Sequence, residues 1–252
     1  MSEAIPVQRF TASDGVELAW HEVGQGRPVV LLHGLFSNAF TNWIRFGHAA
    51  EIAARGFRVI MPDLRAHGES AAPHDPAAYP PDILASDGLA LLEHLSLTDY
   101  DLGGYSLGGR TVIRMLLAGA RPRRAIVAGM GLQGLTDAGS RSAHFRAILT
   151  GLGSHVRGSP EWMAEAFLKT TGGDPAALLP LLDSFIDTSE KALSRIEVPV
   201  LALAGDQDED NGSAAALAAT LPQGRYAAAP GNHMSVVTSP EFGLAIAEFL
   251  AA

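Results

Sequence analysis

The sequence predicts an α/β fold, a mostly parallel sheet with helices on both faces. Three observations carry that expectation. Apolar runs of strand length alternate with helical patterns along most of the 252 residues. The strand-like runs end in Gly, Pro or Asp, which stop a strand sharply. The residues able to do chemistry fall just after those runs, where open α/β sheets bind their ligands.

Val7–Ala12 and Val16–Val23 read as a hairpin, because Ser13-Asp14-Gly15 between them holds an Asp-Gly turn pair. Pro28–Leu32 is a continuous apolar run, as suits a strand buried on both faces. Ala49–Arg55 reads as a helix closed by Gly56, and Phe57–Met61 as the next strand, stopped at Pro62-Asp63. A loop rich in Gly, Pro and His leads to a helix across Ile83–Leu95. Thr98–Leu102 then reads as a strand, Leu107–Ala118 as a helix and Arg124–Ala128 as a strand. From about Gly131 to Arg195 the rhythm breaks. Leu135–Gly153, Glu161–Thr170 and Ala176–Leu193 look helical, with no strand between them. Strand character returns at Val198–Ala204, followed by a helix over Ser213–Leu221, a strand at Arg225–Ala229 and a helix near Glu241–Ala251. For that last helix Ser239 offers an N-cap and Pro240 a first-turn proline. The expected division is a core of residues 1–130 and 196–252 around a helical insertion at 131–195.

Composition narrows the function. Hydrophobic residues make up 47% and charged residues 18%, which is globular. The net charge is −9 with no basic run, so neither nucleic acid nor an anionic membrane is an expected partner. The chain has no cysteine, which removes thiolate catalysis and cysteine metal sites. Met1–Phe10 carries no signal-peptide pattern and no apolar run is long enough to span a membrane, so a cytoplasmic protein is expected. Nothing in the sequence sets the oligomeric state.

Between the predicted strand and helix lies Asp101-Leu102-Gly103-Gly104-Tyr105-Ser106-Leu107-Gly108-Gly109. Gly104 and Gly108 leave room where two backbones converge, and the strained serine at the tip holds its hydroxyl out. Such a hydroxyl needs a base, and the base needs a partner that holds its tautomer. Of nine histidines, His233 stands between the last strand and the last helix, in a loop able to face Ser106. His21 lies within the hairpin, His48 and His94 on helices, His74 in a loop, and His144 and His155 in the insertion. Asp206, Asp208, Glu209 and Asp210 all follow a buried strand, and their positions alone do not choose among them as the partner acid.

Over almost its full length the chain resembles the α/β-hydrolase fold superfamily, in particular serine hydrolases with a small helical cap, such as esterases, lipases and perhydrolases. The motifs that carry the resemblance are Leu32-His33-Gly34, Pro62–Ser70, the turn Gly104–Gly108, Gly205-x-x-Asp208 and Gly231-Asn232-His233. It implies an α/β-hydrolase fold with an inserted cap and a triad of Ser106, His233 and Asp208, with Asp206 the fallback acid. It further implies an oxyanion hole from the backbone N–H groups of Leu35 and Leu107, and structural roles for His33 and His67 in their loops. Ala66 departs from the pattern, standing where the family commonly has glycine. No cofactor is implied. No metal is expected either, since neither His33 with His67 nor the Asp206–Asp210 cluster has a known ligand spacing.

Phe36, Tyr105 and Trp162 are the expected pocket residues. For Phe36, Phe40, Trp43, Trp162, Met163 and Phe167, lining a pocket competes with packing the insertion against the core. The expected substrate is a small or medium uncharged acyl compound, and the expected reaction hydrolysis of a carboxylic ester, lactone or thioester. Carbon–carbon bond hydrolysis, perhydrolysis and pyruvate elimination use the same triad and stand as alternatives. The string from Gly104 to Arg110 resembles the corresponding turn of a menaquinone-pathway synthase in this fold. Serine at the tip argues against the dehalogenases and epoxide hydrolases of the fold, which carry aspartate there. A slow or idle ligand-binding relative is the non-enzymatic alternative, and the complete set of three residues weighs against it.

Overall fold

In the computed structural model, which describes residues 5–252, β1 (Gln8–Thr11) and β2 (Glu17–Val23) form the expected antiparallel hairpin. The remaining strands are β3 (Arg27–Leu32), β4 (Phe57–Pro62), β5 (Asp101–Tyr105), β6 (Ala125–Ala128), β7 (Val200–Gly205) and β8 (Gly224–Ala229). Together they make an eight-stranded sheet of order β1-β2-β4-β3-β5-β6-β7-β8. β2 runs antiparallel to β4, and every pairing from β4 to β8 is parallel. The chain leaves β3 for β4 on one side and returns to β5 on the other. The loops after β3 and β5 therefore diverge and leave a crevice at the carboxyl ends of the strands.

The helices are α1 (His48–Ala54), α2 (Ile83–His94), α3 (Leu107–Leu117), α4 (Leu132–Thr136), α5 (Ala138–Thr150), α6 (Pro160–Thr171), α7 (Pro175–Leu181), α8 (Glu190–Leu193), α9 (Ala214–Thr220) and α10 (Pro240–Ala251). The apolar run of β3 alternates faces, as a strand must. Val30 and Leu32 join one core with α2, α3 and α9, while Val29 and Leu31 join a second with α1 and α10. Helices thus cover both sides of the sheet. Among the described residues no helix is long and apolar enough to cross a membrane.

Several boundaries differ from expectation, each for a local reason. β5 lies later than Thr98–Leu102, because Gly103 and Gly104 belong to the strand. Their missing side chains admit Leu31 and Ile126 at one and the backbone of α3 at the other. The helix predicted at Leu135–Gly153 breaks at Asp137, whose side chain caps α5 by accepting the Ser140 N–H at 3.1 Å. The one predicted at Ala176–Leu193 stops at Leu181 and resumes only where Ser189 caps α8. Ser239 precedes Pro240 as expected, yet its hydroxyl bonds Glu241 and makes no capping bond to the backbone. Phe40–Ile44 forms a π-type turn for which the sequence carries no apolar period. Ala66 takes the left-handed φ of 68° that glycine would adopt freely, so the loop keeps its turn despite the Cβ.

The loop after β4 is anchored by a buried arginine. Arg65 forks onto Asp87 of α2 at 2.9 and 2.8 Å and reaches Asp14 of the hairpin turn at 2.6 Å. A close backbone approach lies between α3 and the end of β3. A Cβ at Gly108 would collide with the carbonyls of Leu32 and His33.

Gly108→Ala should therefore lose about 1–3 kcal/mol of stability, read as a fall in Tm of roughly 2–4 °C per kcal/mol. At Gly139 of α5 a Cβ meets nothing within 4 Å. Gly139→Ala should gain up to about 1 kcal/mol. Equal effects of the two substitutions would contradict the packing described.

Candidate active site

Ser106 stands between β5 and α3 with φ 53° and ψ −111°, a strained pair of angles for a residue with a side chain. The strain is imposed by close packing of strand on helix, since a Cβ at Gly104 would strike the backbone of Gly108. It is held by a hydrogen bond from the Ser106 N–H to Ala128 O of β6 at 2.7 Å. The hydroxyl consequently points off the end of the sheet.

The loop after β8 brings His233 to it. His233 Nε2 lies 3.0 Å from Ser106 Oγ, and Nδ1 lies 2.9 Å from Asp208 Oδ2. A carboxylate can only accept, so Nδ1 carries the proton and Nε2 is free to take the serine's. Two neighbours fix the loop. Asn232 Oδ1 accepts the N–H groups of Met234 and Ser235, each at 3.0 Å, and the Tyr105 hydroxyl donates to the His233 carbonyl. Burial pushes the Tyr105 phenol well above its usual range, which keeps it a donor. Asp206 does a different job from Asp208, accepting the Gly231 N–H at 2.9 Å at the root of the same loop.

The N–H groups around the serine divide into engaged and free. Gly34 N–H donates to Asn42 Oδ1 at 2.8 Å, Phe36 N–H to His67 Nε2 at 3.2 Å and Ser37 N–H to Gly34 O at 3.2 Å. Among the described residues no acceptor takes the N–H of Leu35. Leu107 opens α3, so its N–H has no partner one turn back. These are the two groups the sequence put forward as oxyanion donors.

Behind that loop His33 and His67 are buried and neutral. His33 Nδ1 donates to Gly34 O at 2.8 Å and Nε2 accepts Leu64 N–H at 2.9 Å. Burial holds its pKa below the usual histidine range. Asp63 accepts Ala39 N–H at 2.8 Å and Glu69 N–H at 2.9 Å. Its burial would raise its pKa, but the hydrogen bond with His21 and these N–H groups outweigh it and hold the carboxylate ionised.

A cavity of about 490 Å³ opens beside Ser106 and His233. Phe36 and Tyr105 line it, as expected from the sequence. Trp162 does not: α6 turns Pro160, Met163, Ala164 and Phe167 inward, and Trp162 lies off that face. Phe40 is exposed, and Trp43 packs against Phe242 in the core. Arg110 is also outside the cavity. Its guanidinium donates to the Gly134 carbonyl and stacks on Phe185, and burial lowers its pKa to about 10. Residues of α5 that the sequence did not single out, Arg141 and Phe145, line the cavity together with His144. Among the described residues no group of acidic or histidine side chains could hold a metal ion.

Residues 27–134 match the family described as alpha/beta hydrolase fold. The chain is 38% identical over 153 residues to a dihydrolipoyllysine-residue acetyltransferase component of an acetoin cleaving system from Pseudomonas putida, covering 55% of this chain and 39% of that protein. It is 36% identical over 126 residues to a non-heme haloperoxidase from Rhodococcus erythropolis, covering 47% and 42% of the two. The chain thus spans about two fifths of the length of these curated relatives. A thermophilic esterase structure from Thermogutta terrifontis superposes with a TM-score of 0.74 at 26% identity, over 97% of this chain and 98% of that one. The chain has the α/β-hydrolase fold.

The buried histidines give a pH signature. Burial, with His33 alongside, lowers the His67 pKa from 6.5 to about 3. Its contribution to stability is therefore whole above pH 6.5 and is lost progressively as pH falls toward 3. By pH 5 the loss reaches about 2 kcal/mol, at about 1.4 kcal/mol per pH unit. The stability gap between wild type and His67→Gln, measured in urea, should narrow by that amount from pH 7 to pH 5. A gap of constant size would mean the ring is not held neutral.

Proposed function

We propose that this protein is a serine hydrolase that cleaves small or medium carboxylic esters, lactones or thioesters through an acyl-enzyme on Ser106. The observation that carries the proposal is the continuous chain from Ser106 Oγ to His233 Nε2 at 3.0 Å and from His233 Nδ1 to Asp208 at 2.9 Å. Ser106 Oγ attacks the carbonyl carbon as its proton passes to His233 Nε2. The oxyanion that forms accepts the free N–H groups of Leu35 and Leu107, the second at a helix N-terminus. The intermediate then collapses, and His233 returns the proton to the departing alcohol or thiol. Water repeats the sequence on the acyl-enzyme: His233 takes its proton, the acid leaves and Ser106 regains its hydrogen. Asp208 holds the tautomer and offsets the positive charge that His233 gains.

In this reading residues 131–195 act as a cap over the core, since α5 and α6 supply a wall of the cavity. Similarity to an esterase of known structure supports ester cleavage. Similarity to a haloperoxidase favours a second reaction at the same acyl-enzyme, with hydrogen peroxide replacing water and a peracid as product.

A series of p-nitrophenyl esters of increasing acyl length tests the proposal. Ser106→Ala and Asp208→Asn should each lower kcat/KM by roughly 10⁴-fold, while Asp206→Asn should lower it by less than about tenfold. Ester turnover that survives Ser106→Ala would sink the mechanism, and a greater loss at Asp206 would move the acid. Peracid formation from acetate and hydrogen peroxide measures the second reaction.

A further inference from the structure

Besides its catalytic histidine, the cavity is lined by three residues of the cationic kind, Arg45, Arg141 and His144, and by one carboxylate, Asp210. They are not equivalent. Arg45 is exposed at the rim beside Phe46. His144 is exposed as well, and partial desolvation together with the charge of Arg141 holds its pKa below the usual histidine range, which disfavours the cation. Arg141 is half-buried, and its guanidinium lies 5.0 Å from the centre of the Phe145 ring one turn on. Phe145 in turn stands edge-on to Phe36 at 5.5 Å, next to the oxyanion-donor loop. The cation is thereby fixed on the cavity wall by a stack that begins beside the reacting centre.

What distinguishes Arg141 is the lack of a partner. The other arginines with buried or half-buried guanidinium groups on this side of the sheet are satisfied: Arg65 by Asp87, Arg114 by Asp82, and Arg110 by the Gly134 carbonyl. Among the described residues Arg141 forms no salt bridge within 4.0 Å and no side-chain hydrogen bond. Asp208 and Asp210 act on it only at longer range, and Asp208 is engaged by His233. A half-buried charge left unpaired is unfavourable unless something else supplies the counter-charge.

We propose that Arg141 is the specificity-determining residue of this site, and that it pairs with a carboxylate carried by the substrate away from the scissile carbonyl. The substrate class is then a monoester, lactone or thioester of a dicarboxylic acid, in place of the uncharged acyl compound expected from the sequence. The inference rests on the acyl-transfer reading of the same cavity. A planar guanidinium suits a carboxylate because two parallel N–H groups meet its two oxygens. The flanking Phe36, Phe145 and Phe167 would enclose the methylenes between the two ends.

Two esters separate the charge from everything else, 4-nitrophenyl hydrogen glutarate and 4-nitrophenyl pentanoate, which differ only in a terminal carboxylate against a methyl group. Wild type should prefer the glutarate ester in kcat/KM. Arg141→Gln should lower the glutarate-to-pentanoate ratio by about 10- to 100-fold, mostly through KM, and Arg141→Lys should restore part of it. A ratio that changes by less than about twofold, or a larger fall in Arg45→Gln than in Arg141→Gln, would overturn the assignment. If neither ester is turned over, the acyl-transfer reading fails by itself, and calorimetric titration with free glutarate still decides the subsite. Binding weakened at least about tenfold by Arg141→Gln supports the anchor. Absent binding, or equal binding by both proteins, refutes it.

Discussion

The approach of α3 to β5 at Gly104 and to the end of β3 at Gly108 is the constraint on which the site depends. Neither position has room for a Cβ, so the chain turns within a single residue and that residue is Ser106. Its positive φ is not relieved locally; it is held by the N–H bond to Ala128 and by the sheet on either side. The same turn leaves the first N–H of α3 without a partner beside the hydroxyl. The proposed nucleophile and one proposed oxyanion donor are thus products of one piece of backbone geometry.

The loops that face the turn are stiffened from behind by a buried polar network. His33, His67, Asp63 and Asn42 each accept an N–H from a loop after β3 or β4. Both histidines are neutral and hold their remaining nitrogen to a carbonyl, so they satisfy their part of the network without adding charge of their own. Chemically versatile residues are spent here on shape. Their burial, with ring nitrogens already engaged, separates them from His233, whose Nε2 alone faces the serine.

How far the sequence reaches follows from where the physical signals are strong. Strands such as β3 and β7 are buried on both faces and appear as unbroken apolar runs, so the sheet and its order of elements were legible. The residues proposed for catalysis stand out in the sequence for a related reason, as they follow those strands directly. β5 was misjudged because Gly103 and Gly104 carry no apolar signal although they lie in the strand. The insertion was least legible. Three of its helices, α4, α7 and α8, are short, caps such as Asp137 and Ser189 set the boundaries, and α5 has apolar and polar residues mixed around it. Which side of α6 faces inward therefore had to come from packing, and the sequence named Trp162 where Met163 and Phe167 line the cavity. Arg141 escaped notice because a lone arginine on a helix is ordinarily solvated. Its meaning comes from a wall and a missing partner, which only the folded chain supplies.

The central claim is that the strained serine is a nucleophile. The most direct measurement is treatment of the native protein with a fluorophosphonate, followed by mapping of the adduct by peptide mass spectrometry. A single adduct on Ser106, formed by the native protein and not by the heat-denatured one, is the expected result. Modification of a different residue, or an unmodified Ser106 in a preparation that turns over esters, would contradict the account.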